Sequence, residues 1–209
     1  MDIPRHKVFI SYYHQDDQYY KNRLISMKEV NQNGVLQSIF DDYSVHEDEI
    51  DDTDLSSEQI RRIIRDEYIK NATVLILLCG KNTKRRKHID WEIHAAMFHT
   101  ENNPRMGIVV INLPTIKQSI RAGSPEEKTL LSGSGERRTL ETRSDFESHY
   151  PYMPSRIIDN FVKEVPITVA EWTRIENNPQ ILKRLIDNAF KRKDNISYDY
   201  SVPLRRQNS

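Results

Sequence analysis

The sequence predicts an α/β domain built on an open parallel β-sheet with helices on both faces. Two runs, Ala72-Thr-Val-Leu-Ile-Leu-Leu-Cys79 and Met106-Gly-Ile-Val-Val-Ile-Asn-Leu113, are almost continuously apolar, the pattern of strands covered on both sides. Strand-like runs alternate with stretches whose apolar residues recur at helical spacing, as β–α units do. The length of 209 residues suffices for one well-cored domain and gives little support for a second.

In chain order, Lys7-Val-Phe-Ile-Ser11 reads as the first strand and passes into a polar, aromatic loop, Tyr12-Tyr-His-Gln-Asp-Asp17. A helix is predicted over residues 18–30, stopped by Asn31-Gln-Asn-Gly34. Val35 to Phe40 reads as the second strand and the acidic stretch 41–54 as a solvated connection. Calcium binding there is rejected, because the glycine of an EF-hand loop and its ligand spacing are missing. Ser56 or Ser57 caps the next helix, which buries Ile60, Ile63, Ile64 and Tyr68. The strand at 72–79 follows, then the stretch Gly80 to Met97, whose helix carries Ile89, Ile93, Ala96 and Met97 on one stripe. Glu92 falls at the edge of that stripe, which predicts a half-buried carboxylate at the rim of a cleft. After the strand at 106–113 the region 114–153 loses apolar periodicity and reads as a long mobile insertion or lid. A fifth strand is predicted over 165–169, interrupted at Pro166, and a helix runs from Asn177-Asn-Pro to about Arg192. The expected layout is one domain over 1–193 with a weakly ordered tail over 194–209.

The right-handed crossover rule leaves few topologies for such alternation. The flavodoxin-like strand order 2-1-3-4-5 is the commonest at this size. Its ligand crevice lies at the carboxyl ends of the first and third strands, here Ser11–Asp17 and Cys79–Trp91.

Thirty-one basic and 31 acidic residues cancel, so no global field draws the chain to nucleic acid or an anionic membrane. No apolar stretch approaches a membrane span, and the first residues lack a signal peptide's hydrophobic centre. A single cysteine excludes a disulfide framework and a multi-cysteine zinc site. A cytoplasmic protein is expected. His88/Glu92 and Asp90/His94 each stand one helical turn apart, but neither completes a metal motif, so no metal is expected. Cys79, ending a buried strand, reads as a small core residue. No glycine-rich phosphate cradle occurs, so phosphates would rely on helix N-termini and on Lys84-Arg-Arg-Lys87, a run that equally suits a solvated loop. The Tyr12–Asp17 loop is equipped for stacking and for ribose hydroxyls, or serves as an ordinary helix start.

Two segments, Lys7-Val-Phe-Ile-Ser-Tyr-Tyr-His-Gln-Asp-Asp17 and Gly80-Lys-Asn-Thr-Lys-Arg-Arg-Lys-His-Ile-Asp-Trp-Glu-Ile93, resemble the TIR-like family of bacterial anti-phage defence, in particular the NAD-consuming sensor subunit of the Thoeris system. Pro154-Ser-Arg-Ile-Ile-Asp-Asn160, with Trp172 beyond it, is similar to the family's closing segment. The resemblance implies the TIR-like version of the flavodoxin-like fold and an enzyme, an NAD glycohydrolase or ADP-ribosyl cyclase. Such an enzyme breaks the nicotinamide–ribose bond and makes a cyclic or rearranged ADP-ribose signal for a separate effector. By position it makes Glu92 the catalytic glutamate. Phe9, Tyr12 and Trp91 become candidates to shape ring pockets, and Ser11, His14, Asp16, Asp17 and Thr83 candidates to orient sugars or phosphates. NAD is then the substrate, with no separate cofactor. A phage trigger protein and self-association are expected partners.

Where many TIR enzymes approach their tryptophan and glutamate through small, serine-rich residues, this chain has Lys84-Arg-Arg-Lys-His88, which bears on substrate pose and product. Two other readings stay open: a non-catalytic TIR-like adaptor acting by self-association, and a nucleoside deoxyribosyltransferase-like enzyme.

Overall fold

The computed structural model describes residues 4–31, 33–44, 55–64, 66, 69, 71–100, 104–131 and 140–208. Its main sheet contains β1 (Lys7–Ser11), β4 (Asp41–Asp42), β5 (Val74–Cys79), β6 (Gly107–Asn112) and β7 (Thr168–Glu171) in the order β4-β1-β5-β6-β7, every neighbour parallel. Counted along the chain within this sheet, the order is the predicted 2-1-3-4-5. A separate antiparallel pair, β2 (Lys28–Val30) and β3 (Leu36–Ser38), forms a small hairpin. The helices are α1 (His14–Ser26), α2 (Ser57–Ile63), α3 (Lys87–Met97), α4 (Pro125–Leu130), α5 (Arg143–His149), α6 (Ser155–Val162), α7 (Trp172–Asn177) and α8 (Pro179–Arg192).

Because side chains alternate along a strand, β1 and β5 send Phe9, Leu75, Leu77 and Cys79 to one core and Val8, Ile10, Ile76 and Leu78 to the other. The first core is closed by α3, α5 and α6 through Trp91, Ile93, Phe146, Ile157 and Phe161. The second is closed by α1, α7 and α8 through Leu24, Ile175, Leu182 and Leu185. Every residue of β5 and β6 is buried, which is why both read as unbroken apolar runs.

Several expectations need correction. Residues 35–40 do not supply the second sheet strand; Leu36–Ser38 pairs with Lys28–Val30, and the edge strand is Asp41–Asp42, which had been read as the start of a loop. Only Lys7 and Val8 pair with it, and so short an edge tolerates two charged residues. The expectations for 45–54 and for Tyr68 lie outside the described residues. The first helix begins at His14, so the polar loop is largely its first turn, with Asp16 and Asp17 at the N-terminus where negative charge is favoured. The fifth strand starts at Thr168, beyond Pro166, which has no N–H for a ladder. The insertion, apart from 132–139 outside the described residues, contains α4 and α5 and buries Ile116, Phe146, Tyr150 and Met153. The stretch from Ile196 to Asn208, expected to be a weakly ordered tail, packs on the first core through Ile196, Tyr198 and Leu204.

The hairpin is held to α8 by a buried ion pair, Lys183 Nζ to Glu29 Oε1 at 2.6 Å, with Gln180 donating to Oε2 at 2.9 Å. Burial alone would raise the Glu29 carboxyl, but the hydrogen bonds from Lys183, Gln180 and Gln37 hold it below the usual range. At the opposite end of the contact between α8 and the sheet, Gly107 sits so close to α8 that a Cβ there would stand 2.4 Å from the Ala189 carbonyl oxygen. Gly107→Ala is therefore expected to cost roughly 2–3 kcal/mol of stability through overpacking against backbone. Urea unfolding would read this as a lower midpoint at unchanged slope.

Candidate functional site

Ser11, the last residue of β1, lies in register with Leu77, so the end of β5 extends past it by Leu78 and Cys79. Strand order reverses between these two strands, the position where open α/β sheets bind ligands. The chain leaves β5 through Gly80, makes a 3-10 turn at Thr83–Arg85 and enters α3. Thr83 closes the turn: its hydroxyl accepts from the Gly80 N–H at 2.8 Å and donates to the Leu78 carbonyl at 3.2 Å. In this state Thr83 is a buried staple of the loop. Ser11 is fully buried, and its hydroxyl has no hydrogen-bond partner among the described residues.

On the α1 side, the rings of Tyr12 and His14 stack at 4.3 Å, and the Tyr12 hydroxyl donates to Gln18 at 2.7 Å. Asp16 accepts from the Asn82 amide at 2.7 Å, tying α1 to the loop after β5. Asp17 is 1 % exposed, and among the described residues neither of its carboxylate oxygens has a hydrogen-bond partner. Both oxygens point at Gly80, where a Cβ would come within 2.7 Å of each; a side chain there would displace the Asp17 carboxylate. Burial, reinforced by the neighbouring Asp16 charge, raises the Asp17 carboxyl to about 6, the Tyr13 backbone offsetting only part of this.

On the α3 side, Trp91 is fully buried in the same cluster as Phe9, so both rings serve the core in this state. Glu92 is only 5 % exposed, more deeply buried than the predicted rim position. The neighbouring turns of the helix are covered from outside α3, where Arg205 and Asn208 bond to Lys87, Asp90 and Trp91. The basic run is partly committed. Lys84 Nζ donates to the Pro151 carbonyl at 2.5 Å, and the Arg86 guanidinium lies 3.6 Å from the Tyr13 ring centre.

The structure thus gathers Ser11, Tyr12, His14, Asp16, Asp17 and Thr83 around the carboxyl ends of β1 and β5, with Glu92 on the helix leaving that loop. Sequence reasoning missed the groups that roof it. Gln118 donates to Asn112 Oδ1 at 2.6 Å and to Cys79 Sγ at 3.4 Å, and it accepts from the Tyr152 N–H at 3.1 Å. These residues lie at a strand end and in the insertion, where no local pattern marks them. Burial pushes the Cys79 thiol up to about 12, so it carries no thiolate at neutral pH. Beside this roof is a cavity of about 340 Å³ lined by residues including Asn112, Ile116, Gln118 and Trp172.

Residues 9–118, just over half of the chain, match the family model for the Thoeris protein ThsB, TIR-like domain. The chain belongs to this TIR-like family. No curated protein matches it. Membership gives this TIR-like domain a role in anti-phage defence. The matched span takes in β1, α1, β5, α3 and β6 and stops as the insertion begins, so the roof contributed by Tyr152 and the covering of α3 come from outside it. Among the described residues no helix is long and apolar enough to cross a membrane, and no group of three or more His, Cys, Asp or Glu could hold a metal ion.

The unpaired Asp17 has a thermodynamic signature. Its folded-state pKa lies above the unfolded value, so the native state holds the proton more tightly, and stability falls as pH rises from about 4 to about 6. Asp17→Asn, which cannot ionise, is expected to be more stable than the wild type at pH 7.5 by up to about 3 kcal/mol, with the gain vanishing near pH 4. Urea denaturation at the two pH values checks this; a loss of stability at pH 7.5 would reveal a partner for the ionised carboxylate.

Proposed function

We propose that this TIR-like domain cleaves NAD at the nicotinamide–ribose bond, with Glu92 as the catalytic carboxylate, and releases a cyclic or rearranged ADP-ribose that activates a separate effector. The observation that carries this reading is the deeply buried Glu92 on the helix that leaves the carboxyl end of β5, beside the sheet's switch point. Nicotinamide is cationic at its ring nitrogen in NAD and departs neutral, so departure needs no general acid. Positive charge passes to the ribose, whose transition state resembles an oxocarbenium ion. A fixed carboxylate held away from water stabilises that charge far better than one in solvent. Attack on the anomeric carbon by a group of the same ADP-ribose, which loses its proton, closes a ring; attack by water gives ADP-ribose. Excluding water therefore selects the product.

Ser11, Asp17, Thr83 and Glu92 are all buried, so NAD reaches them only after the loops at the carboxyl ends of β1 and β5 part. This suits an enzyme that stays silent in the cytoplasm until a phage component triggers it. On this reading Ser11, Tyr12, His14, Asp16 and Asp17 meet ribose or phosphate once those loops part, with NAD as substrate and no bound cofactor.

A second reading, an adaptor acting by self-association, is favoured by the hairpin, where Val30, Val35 and Leu36 are more than half exposed. The two readings part on Glu92→Gln. Catalysis predicts that this variant releases nicotinamide at least about 100-fold more slowly than wild type, in extracts of infected cells as with purified protein, and loses defence. Defence that survives Glu92→Gln but fails on Val30→Lys and Leu36→Lys would sink the enzymatic reading.

A further inference from the structure

The segment Ser201–Asn208 crosses α3 and makes its polar contacts with the turns that precede Glu92. Asn208 Oδ1 accepts from the Lys87 N–H at 2.9 Å, taking one of the donors that a helix N-terminus leaves without an intrahelical partner. The Arg205 N–H donates to Asp90 Oδ2 at 2.9 Å, the Arg205 carbonyl accepts from Trp91 Nε1 at 2.7 Å, and the Arg205 guanidinium donates to the Lys84 carbonyl at 2.7 Å. One residue of the segment thereby holds the turn before α3 and both residues that precede Glu92. Leu204 is buried in the first core and seats the segment. Arg156 of α6 completes the joint: its guanidinium pairs bidentately with Asp90 at 2.9 and 3.0 Å and donates to the carbonyls of Val202 and Pro203 at 2.9 and 3.2 Å.

We infer that residues 201–208 are a strap that positions the Glu92 helix, with Asp90 as the positioning residue that α6 and the strap grip together. The inference rests on the catalytic reading of Glu92 and goes beyond it. A carboxylate is useful to an oxocarbenium ion only at a defined place, and about an ångström of displacement costs on the order of 100-fold in rate. The apolar face of α3 seats the helix on the first core, and the contacts from Arg205 and Arg156 add directional hydrogen bonds that fix its first turns. Both lie outside residues 9–118, the span that matches the family model, so the strap holds a helix of the matched span from sequence beyond it.

The test uses the full chain. Leu204→Asp expels the strap from its seat, Arg205→Pro removes the N–H that Asp90 accepts, and Leu204→Met keeps the seat filled. Steady-state NAD cleavage, thermal melting and amide exchange of residues 87–97 are measured on each. Expected are a kcat about tenfold or more below wild type for Leu204→Asp and Arg205→Pro, with KM within about threefold. Exchange across α3 quickens in both, and Leu204→Met behaves as wild type. If Leu204→Asp does not fold, Asn208→Ala, which deletes only the contact at Lys87, is read for the same kcat-specific loss. Wild-type kcat in a variant whose α3 exchange has quickened overturns the positioning role, and unchanged α3 exchange overturns the strap. If the wild-type protein cleaves no NAD, it is the catalytic reading that has failed, and the exchange measurement still decides whether the strap holds α3.

Discussion

Burying the guanidinium of Arg156 constrains the arrangement of half the molecule. At 2 % exposure a charge is tolerable only if it is paired and its N–H groups are satisfied, since the desolvation of an unpaired ion costs several kcal/mol. No single element can do this. Asp90 of α3 provides the countercharge in the fork-to-fork geometry that suits guanidinium and carboxylate, and the carbonyls of Val202 and Pro203 take the remaining directions. Satisfying one side chain therefore fixes α6, α3 and the C-terminal segment against one another. Because α3 begins at the end of β5, the same requirement sets the helix at the mouth of the sheet.

Satisfaction at that joint contrasts with the carboxyl end of β1 and the first turn of α1. Ser11 and Asp17 are buried with polar atoms that have no partner among the described residues, whereas buried polar groups in folded proteins are as a rule paired. The absence of a side chain at Gly80 leaves the Asp17 carboxylate its place, since a Cβ there would stand 2.7 Å from both oxygens. With the Asp17 carboxylate buried and without a partner among the described residues, the protein is less stable at neutral pH than it need be.

Much of the scaffold was legible because burial on both faces writes itself into composition. The runs at 72–79 and 106–113 announced β5 and β6, and Asn178-Pro179 with the stripe Leu182, Leu185, Ile186 announced α8. The hairpin and β4 were not legible: strands of two or three residues carry no period, and Asp41–Asp42 joins the sheet only through backbone hydrogen bonds beside β1. The covering segment was invisible for a similar reason. Most of what it offers α3 is backbone carbonyl and N–H, which every residue has, so its polar composition resembled a solvated tail. Around the carboxyl ends of β1 and β5, Glu92 was singled out by the resemblance of the Trp91-Glu92-Ile93 stretch, whereas Gln118 and Tyr152 have no local pattern to betray them.

From sequence alone came the sheet order, the switch point at the ends of β1 and β5, and the residues that border it, because hydrophobic periodicity and crossover handedness are local or nearly local properties of the chain. Tertiary structure alone decided how deeply Glu92 is buried, that Thr83 staples its loop, that Asp17 stands unpaired, and that residues 201–208 lie across α3. Each of these depends on contacts between segments far apart in the chain. Desolvation is set by whichever segment happens to cover a group, and that is not written in the residues around it.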